Sequence, residues 1–345
     1  MSEPIETPLA APAAMSWLRA GQRLESHGRL DEALGCYGHA LAATDADGPE
    51  SGLVWMNRGS ALQRFGDLEH TKAALAAYNE AIARQRRGSP TTDPALGISL
   101  AAALMNRGLL LHRLHGVAEA AAAFEAYANA ENLLRPILHQ HPSPPASVRR
   151  NLGGIGVNRA NLLLDCGQPS AAAAAARQAV AAVAPIERTD PGAAAVALMA
   201  QRAQCDALGR LLITPGADQE ALADEASDTV DAALALARYW GPAGRDNFEP
   251  LVTRLFRYGA RLYRAHQPQF LGEFVLEQLQ ADAPSEHRDI AAEALAGALA
   301  DLQRPQPLVA GAPATERLIA TVGSLRAAQS RLAARTRTVL IEAAS

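Results

Sequence analysis

Residues 55–81 read WMNRGSALQRFGDLEHTKAALAAYNEA, and the fold prediction starts from this stretch. Its first half places apolar and small residues three and four positions apart, which is typical of one helix face, and it stops at Gly66. Its second half opens with Asp67 and Glu69, which favour a helix N-terminus, and continues with a small–aromatic pattern around Tyr78. The stretch predicts two antiparallel helices joined by a tight glycine turn.

The same pattern occurs in three further copies, at 17–40, 104–124 and 159–176. The small residue of the first helix is Gly21, Gly59, Gly108 and Ala160, and the turn residue is Gly28, Gly66, Gly116 and Gly167. In the second helix the aromatic position is Tyr37 in the earliest copy and, by this alignment, Phe124 in the third. The small residue leaves space where the partner helix crosses closely.

These copies resemble the tetratricopeptide repeat, a helix–turn–helix unit with small and aromatic residues at fixed offsets. The resemblance implies an all-α fold, a right-handed α-solenoid of antiparallel helix hairpins. The small first-helix residues at 21, 59, 108 and 160 are separated by 38, 49 and 52 positions. Because the ordinary repeat is about 34 residues long, the units are enlarged.

The composition agrees with an all-helical chain. Of 345 residues, 77 are alanine and only 15 are aromatic, which favours helices and disfavours a large sheet. The formal net charge of −4 favours neither a nucleic-acid nor a membrane partner, and no apolar stretch in the sequence reads as a membrane span. Three widely spaced cysteines suit a reducing compartment, so we expect a cytoplasmic protein.

The pattern changes along the chain and predicts three regions. Residues 1–14 carry three prolines and two glutamates without an apolar run, which predicts a disordered leader. Residues 15–240 form the repeat array. Residues 241–345 continue as helical hairpins without the signature, a divergent C-terminal region that caps the array.

A polar position recurs two residues before each small residue of the first helix. In tetratricopeptide proteins this position lies on the concave face, where asparagine often binds the backbone of a peptide, so the resemblance implies a peptide-binding groove. An alternative is that these asparagines link neighbouring repeats through buried hydrogen bonds. We favour the groove, with these partner-binding residues: Arg19, Gln22, Asn57, Ser60, Arg64, Asn106, Arg113, Asn158 and Asn161.

A second candidate is a basic patch in the C-terminal region. Its arginines are spaced by three, four and three positions, which puts them on one helix face: Arg254, Arg257, Arg261 and Arg264. The patch could bind an acidic peptide or phosphates. The alternative, which we favour, is a solvated face balanced by acids of the next helix such as Glu273 and Glu277.

The sequence favours no metal, cofactor or enzyme chemistry. The histidine pairs at 112/115 and 139/141 lack further ligands at a matching spacing, whereas a zinc site needs four. The sequence also contains neither a phosphate-binding GxxxxGK[ST] loop nor a GxSxG nucleophile motif.

These observations predict a scaffold or adaptor that binds a peptide or protein segment in a polar groove. Two alternatives stay open. The first is a regulatory module whose C-terminal helices gate the groove, and the second is an enzyme in a helical-repeat fold.

Overall fold

The computed structural model describes residues 10–279, 284–303 and 312–344, and every regular element in these ranges is a helix. The α-helices are α1 (Ala10–Ser26), α2 (Leu30–Ala42), α3 (Pro49–Gln63), α4 (Leu68–Gln85), α5 (Pro94–His115), α6 (Ala120–Gln140), α7 (Ala146–Asp165), α8 (Pro169–Val183), α9 (Pro191–Leu212), α10 (Gln219–His266), α11 (Pro268–Gln278), α12 (Ser285–Gln303) and α13 (Ala312–Ala344). A 3₁₀ turn, Gly116–Glu119, separates α5 from α6.

The chain divides into two compact units, Met1–Gly167 and Gln168–Ser345. The predicted boundaries at 14 and 240 describe changes of sequence pattern, and they stay predictions. Helix α1 begins at Ala10, so the last residues of the predicted leader are helical, and residues 1–9 lie outside the described ranges.

Unit 1 is built from stacked helix hairpins. Each helix from α1 to α7 packs against the next, and the odd-numbered helices α1, α3, α5 and α7 also contact one another in succession. We call these the A helices, and we call α2, α4 and α6 the B helices. The A helices therefore form one layer and the B helices the other, as expected for a helical-repeat array.

The helix ends follow the sequence closely. The predicted turn glycines Gly28, Gly66, Gly116 and Gly167 all have positive φ angles, between 58° and 82°. Such angles suit glycine because it lacks a Cβ atom. Asp67 caps α4 by accepting a hydrogen bond from the His70 backbone N–H at 2.9 Å, and Asp93 caps α5 in the same way. These ends keep consecutive helices antiparallel.

One contact recurs in every hairpin of unit 1. The B-helix tyrosines Tyr37, Tyr78 and Tyr127 are fully buried, and each ring lies against an A-helix glycine. A Cβ atom on Gly21, Gly59 or Gly108 would lie 2.5, 2.8 or 2.6 Å from the nearest ring carbon. Only glycine therefore lets the ring occupy this place without a shift of one helix.

The third hairpin corrects the sequence alignment. The tyrosine position is taken by Tyr127 and not by Phe124, which is only partly buried against the core. Residues 116–119 form the 3₁₀ turn, so the buried face of α6 lies three residues further along the chain than predicted. That face includes Ala123, Tyr127 and Ala130.

The stretch Pro94–Gln140 is long and apolar enough to cross a membrane by length and composition alone. The 3₁₀ turn divides it into α5 and α6, which pack against each other. Their side chains, such as Leu104, Leu110 and Leu134, belong to the core of unit 1. The hydropathy of this stretch is therefore that of two core helices.

Unit 2 contains α8 to α13. Helix α9 packs against α8 and α10, and α10 is broken at Gly241, where φ is 59°. Helices α11 and α12 pack against α10, and α13 packs against both. A Cβ atom on Gly259 would lie 2.5 Å from the Phe274 ring, so the glycine–aromatic contact recurs in the region predicted as divergent.

The glycine–tyrosine contact makes a prediction about stability. Gly59→Ala should destabilise the full chain by about 1–3 kcal/mol, because the added methyl group overlaps the Tyr78 ring. Gly35→Ala on α2 is the matched control, since its Cβ would meet open space. It should be neutral or stabilise the protein by up to about 1 kcal/mol. Urea unfolding followed by circular dichroism measures both, and equal effects would contradict the contact.

Candidate functional site

The predicted partner-binding residues lie on the A helices or directly after them. They stand two residues before, or one and five residues after, the small residue that faces the B helix. An α-helix turns by about 100° per residue. Around the helix axis, these positions therefore lie about 100–160° away from the side that contacts the B helix. Since the A helices form one layer, the residues share one surface, which we call the A-helix face.

Two of the four predicted asparagines link neighbouring repeats. Asn57 is only 8% exposed. Its amide donates to the Leu53 carbonyl at 2.8 Å and accepts from the Gln22 amide on α1 at 3.0 Å. Asn106 on α5 donates to the Tyr78 hydroxyl on α4 at 3.1 Å. Asn57 and Asn106 therefore both have the linking role that the sequence left open as an alternative. For Asn57 to bind a peptide, its amide would have to leave these partners.

Glu25 is a connecting residue that the sequence analysis did not single out. Its carboxylate accepts from the Tyr37 hydroxyl at 2.7 Å and from the Ser60 hydroxyl at 2.8 Å. The Arg64 guanidinium donates to the Glu25 backbone carbonyl. Glu25 stands four residues after Gly21, and the equivalent Gln63 accepts from Tyr78 at 3.1 Å. A comparison of the repeat copies four residues after the small A-helix residue would have identified Glu25 from the sequence.

The third repeat departs from this arrangement. Burial raises the pKa values of Tyr37, Tyr78 and Tyr127, so all three hydroxyls stay protonated at neutral pH. The position equivalent to Glu25 is His112, whose Nε2 atom lies 2.8 Å from a carboxylate oxygen of Asp165. The Tyr127 hydroxyl is buried without a hydrogen-bond partner among the residues that the structure describes.

Arg107 and Arg159 stand directly before the small A-helix residues Gly108 and Ala160, and they provide a second type of link between helices. Arg107 on α5 donates to the Asn79 side chain on α4 at 2.9 Å. Arg159 on α7 pairs with Glu131 on α6, also at 2.9 Å. Each arginine therefore joins its A helix to the preceding B helix. These residues occupy the place where tetratricopeptide proteins usually bury leucine.

The exposed part of the A-helix face is basic. Arg19, Arg64 and Arg113 are exposed, whereas Asn158 and Asn161 are half-buried. Arg19 and Arg113 have neither a hydrogen bond nor an ion pair within the described ranges. A shallow depression runs along α1, lined by Ser16, Arg19, Gln22, Arg23 and Ser26. Guanidinium groups, more than the asparagine amides, are thus available to a ligand.

The basic patch of unit 2 is partly used within the protein. Arg257 pairs with Glu286 at 2.5 Å and Arg264 with Asp301 at 2.7 Å. Both acids lie on α12, which packs against α10. They are not the α11 acids Glu273 and Glu277 named from the sequence, because α12 faces this side of α10. The other two members of the patch, Arg254 and Arg261, are exposed.

The repeated glycine–tyrosine hairpins define the class of fold: the described residues form an all-α arrangement of helix hairpins that resembles tetratricopeptide repeats. No protein-family model and no curated protein matches the sequence.

Several solved structures are similar to the chain. The S. pombe nuclear import adaptor Nro1 is 12% identical, with a TM-score of 0.45, and the match covers 93% of this chain and 99% of that chain. A tetratricopeptide repeat protein from Parabacteroides merdae is 13% identical, with a TM-score of 0.35 and coverages of 90% and 99%. The P58(IPK) tetratricopeptide domain is 15% identical, with a TM-score of 0.25 and coverages of 92% and 98%.

The tyrosine hydroxyls give a direct test of the linking network. Tyr78→Phe should cost about 1 kcal/mol of stability, because it removes the bonds to Gln63 and Asn106. Tyr127→Phe should be neutral or stabilising, because it removes a buried hydroxyl that has no hydrogen-bond partner among the described residues. Thermal unfolding of the two variants of the full chain measures the difference. An equal loss in both would show that Tyr127 has an unrecognised partner.

Proposed function

We propose that this chain is a non-enzymatic protein-interaction scaffold, and that its A-helix face binds an extended segment of a partner protein that carries carboxylates. The observation that carries the proposal is the pair of exposed guanidinium groups of Arg19 and Arg113, which have no partner among the described residues. Guanidinium groups bind carboxylates by paired hydrogen bonds as well as by charge.

The spacing of the A helices suits an extended peptide. Arg19 lies on α1 and Arg113 on α5, two packing steps apart in the A layer. At about 8–10 Å per step, the two helix axes are about 16–20 Å apart. An extended chain rises about 3.3 Å per residue, so about six residues bridge this distance. A segment of this length with acids near both ends matches the two arginines.

The electrostatics of the face support an acidic ligand. Two acids lie on or beside the face: Glu25, which accepts hydrogen bonds from the uncharged Tyr37 and Ser60 hydroxyls, and Asp165, which contacts His112. The exposed arginines Arg19, Arg64 and Arg113 outnumber these two carboxylates. The net charge of −4 over the whole chain does not favour a nucleic-acid partner. We also propose a cytoplasmic location, which suits the three free cysteines.

A binding experiment with the full chain tests this proposal. The probe is a fluorescein-labelled decapeptide of alternating glutamate and serine, with a lysine–serine decapeptide of equal length for comparison. Fluorescence anisotropy at low salt should detect binding of the acidic peptide. The double variant Arg19→Ala/Arg113→Ala should weaken this binding by about tenfold, and added salt should weaken binding to the unaltered chain.

The matched control removes the same two charges elsewhere, as Arg86→Ala/Arg326→Ala. Both side chains are exposed, one at the end of α4 and one on α13 in unit 2. Binding by this control should equal that of the unaltered chain. If the control loses as much affinity as the Arg19/Arg113 variant, or if the acidic peptide does not bind, the proposal is wrong.

A further inference from the structure

The basic patch of unit 2 is a narrow strip along the C-terminal part of α10. Since successive residues lie about 100° apart around a helix, its four arginines fall within an arc of about 80° around the axis. Their order across this arc is Arg254, Arg261, Arg257 and Arg264. The contacts of the patch with α9 and α12 decide which of its charges are neutralised within the protein.

Helix α9 borders the patch on the side of Arg254. Tyr258 lies about 40° beyond Arg254 around the α10 axis. A Cβ atom on Gly209 of α9 would lie 3.3 Å from the Tyr258 hydroxyl oxygen, so the two helices are in contact here. Arg254 is therefore the member of the patch that lies nearest to α9.

Asp206 on α9 shows that arginines of both helices surround this border. Burial raises the pKa of its carboxyl group, and the charges of Arg202, Arg210 and Arg254 lower it. The ion pair of Asp206 is with Arg202, at 2.5 Å, whereas Arg210 and Arg254 are exposed. Three guanidinium groups thus lie near one carboxylate, and positive charge is in excess.

Helix α12 borders the patch on the opposite side, where Arg257 and Arg264 lie. Its acids Glu286 and Asp301 pair with these two arginines. A further acid of the same helix, Glu293, is exposed and has no ion pair among the described residues. Helix α12 therefore neutralises only one side of the patch.

Arg254 and Arg261 are the two members of the patch without a partner. Both are exposed, and neither has a hydrogen bond or an ion pair within the part of the chain that the structure describes. They stand seven residues apart on α10, which corresponds to about 10.5 Å along the helix axis. Their long side chains can thus reach a single anionic group from both sides.

We propose that the basic patch binds a phosphorylated segment of a partner protein, and that Arg254 and Arg261 hold its phosphate group. A phosphoserine or phosphothreonine carries a charge of about −1.5 to −2 and three acceptor oxygens. It can therefore accept hydrogen bonds from two guanidinium groups and balance both charges, whereas a carboxylate balances one. Arginine clusters recognise phosphorylated motifs in several families of binding domains.

The size and charge of the patch favour this ligand over a polyanion. Two guanidinium groups without partners, on a strip about 80° wide, suit one phosphate group on an exposed segment. The net charge of −4 over the whole chain does not favour the many phosphates of a nucleic acid. The proposal is independent of the A-helix face, because it concerns residues of unit 2 alone.

The experiment uses the full chain and a fluorescein-labelled decapeptide of glycine and serine with one central phosphoserine. Fluorescence anisotropy at low salt should detect its binding, and the same peptide without the phosphate should not bind. Arg254→Gln/Arg261→Gln should weaken binding of the phosphopeptide by about tenfold, because both charges are removed while polar side chains remain. A peptide with glutamate in place of the phosphoserine should bind the unaltered chain about fivefold more weakly, or not at all.

The matched control, Arg326→Gln/Arg331→Gln, removes two exposed arginines of α13, which packs against α11 and α12. It should bind the phosphopeptide as the unaltered chain does. Four results would overturn the proposal: no binding of the phosphopeptide, equal losses in both double variants, equal binding of the glutamate peptide, or half-displacement by an equal concentration of inorganic phosphate. The last result would show a site for free anions.

Discussion

The contact between an A-helix glycine and a B-helix tyrosine ring is the constraint on which unit 1 depends. Because Gly59 has no side chain, the Tyr78 ring can lie directly against the helix backbone, and this fixes the separation of the two helices. The same contact brings the tyrosine hydroxyl to a residue one turn further along the A helix. At Tyr37 and Tyr78 that residue is a hydrogen-bond acceptor, Glu25 or Gln63. Packing and polar linkage between helices thus arise from one geometry.

This geometry decides which polar groups remain for a ligand. The amides of Asn57 and Asn106 are used between repeats, whereas Arg19 and Arg113 of the same layer have no partner among the described residues. In unit 2, Arg257 and Arg264 are likewise used between helices, and Arg254 and Arg261 remain exposed.

The sequence predicted the hairpins of unit 1 because glycines mark both the helix crossings and the turns. The alignment misplaced the third tyrosine, although Ala123, Tyr127 and Ala130 repeat the spacing of Ala74, Tyr78 and Ala81. That spacing would have identified Tyr127. The sequence predicted helical hairpins in the C-terminal region but not the contact between Gly259 and Phe274, because the repeat signature is not retained there.

The role of the asparagines could not be decided from the sequence. The choice between linking and binding depends on whether a partner lies within hydrogen-bonding distance, as Gln22 does for Asn57. A polar residue in a helical pattern does not reveal these distances, since they are set by helices far apart in the sequence.

Hydrogen–deuterium exchange tests most directly whether the A layer of unit 1 is a binding surface. The full chain is compared with and without the saturating glutamate–serine decapeptide. The account predicts that exchange slows mainly in peptides from α1, α3 and α5, and much less in those from α2 and α4. Slowing confined to the B helices, or to unit 2, would contradict it.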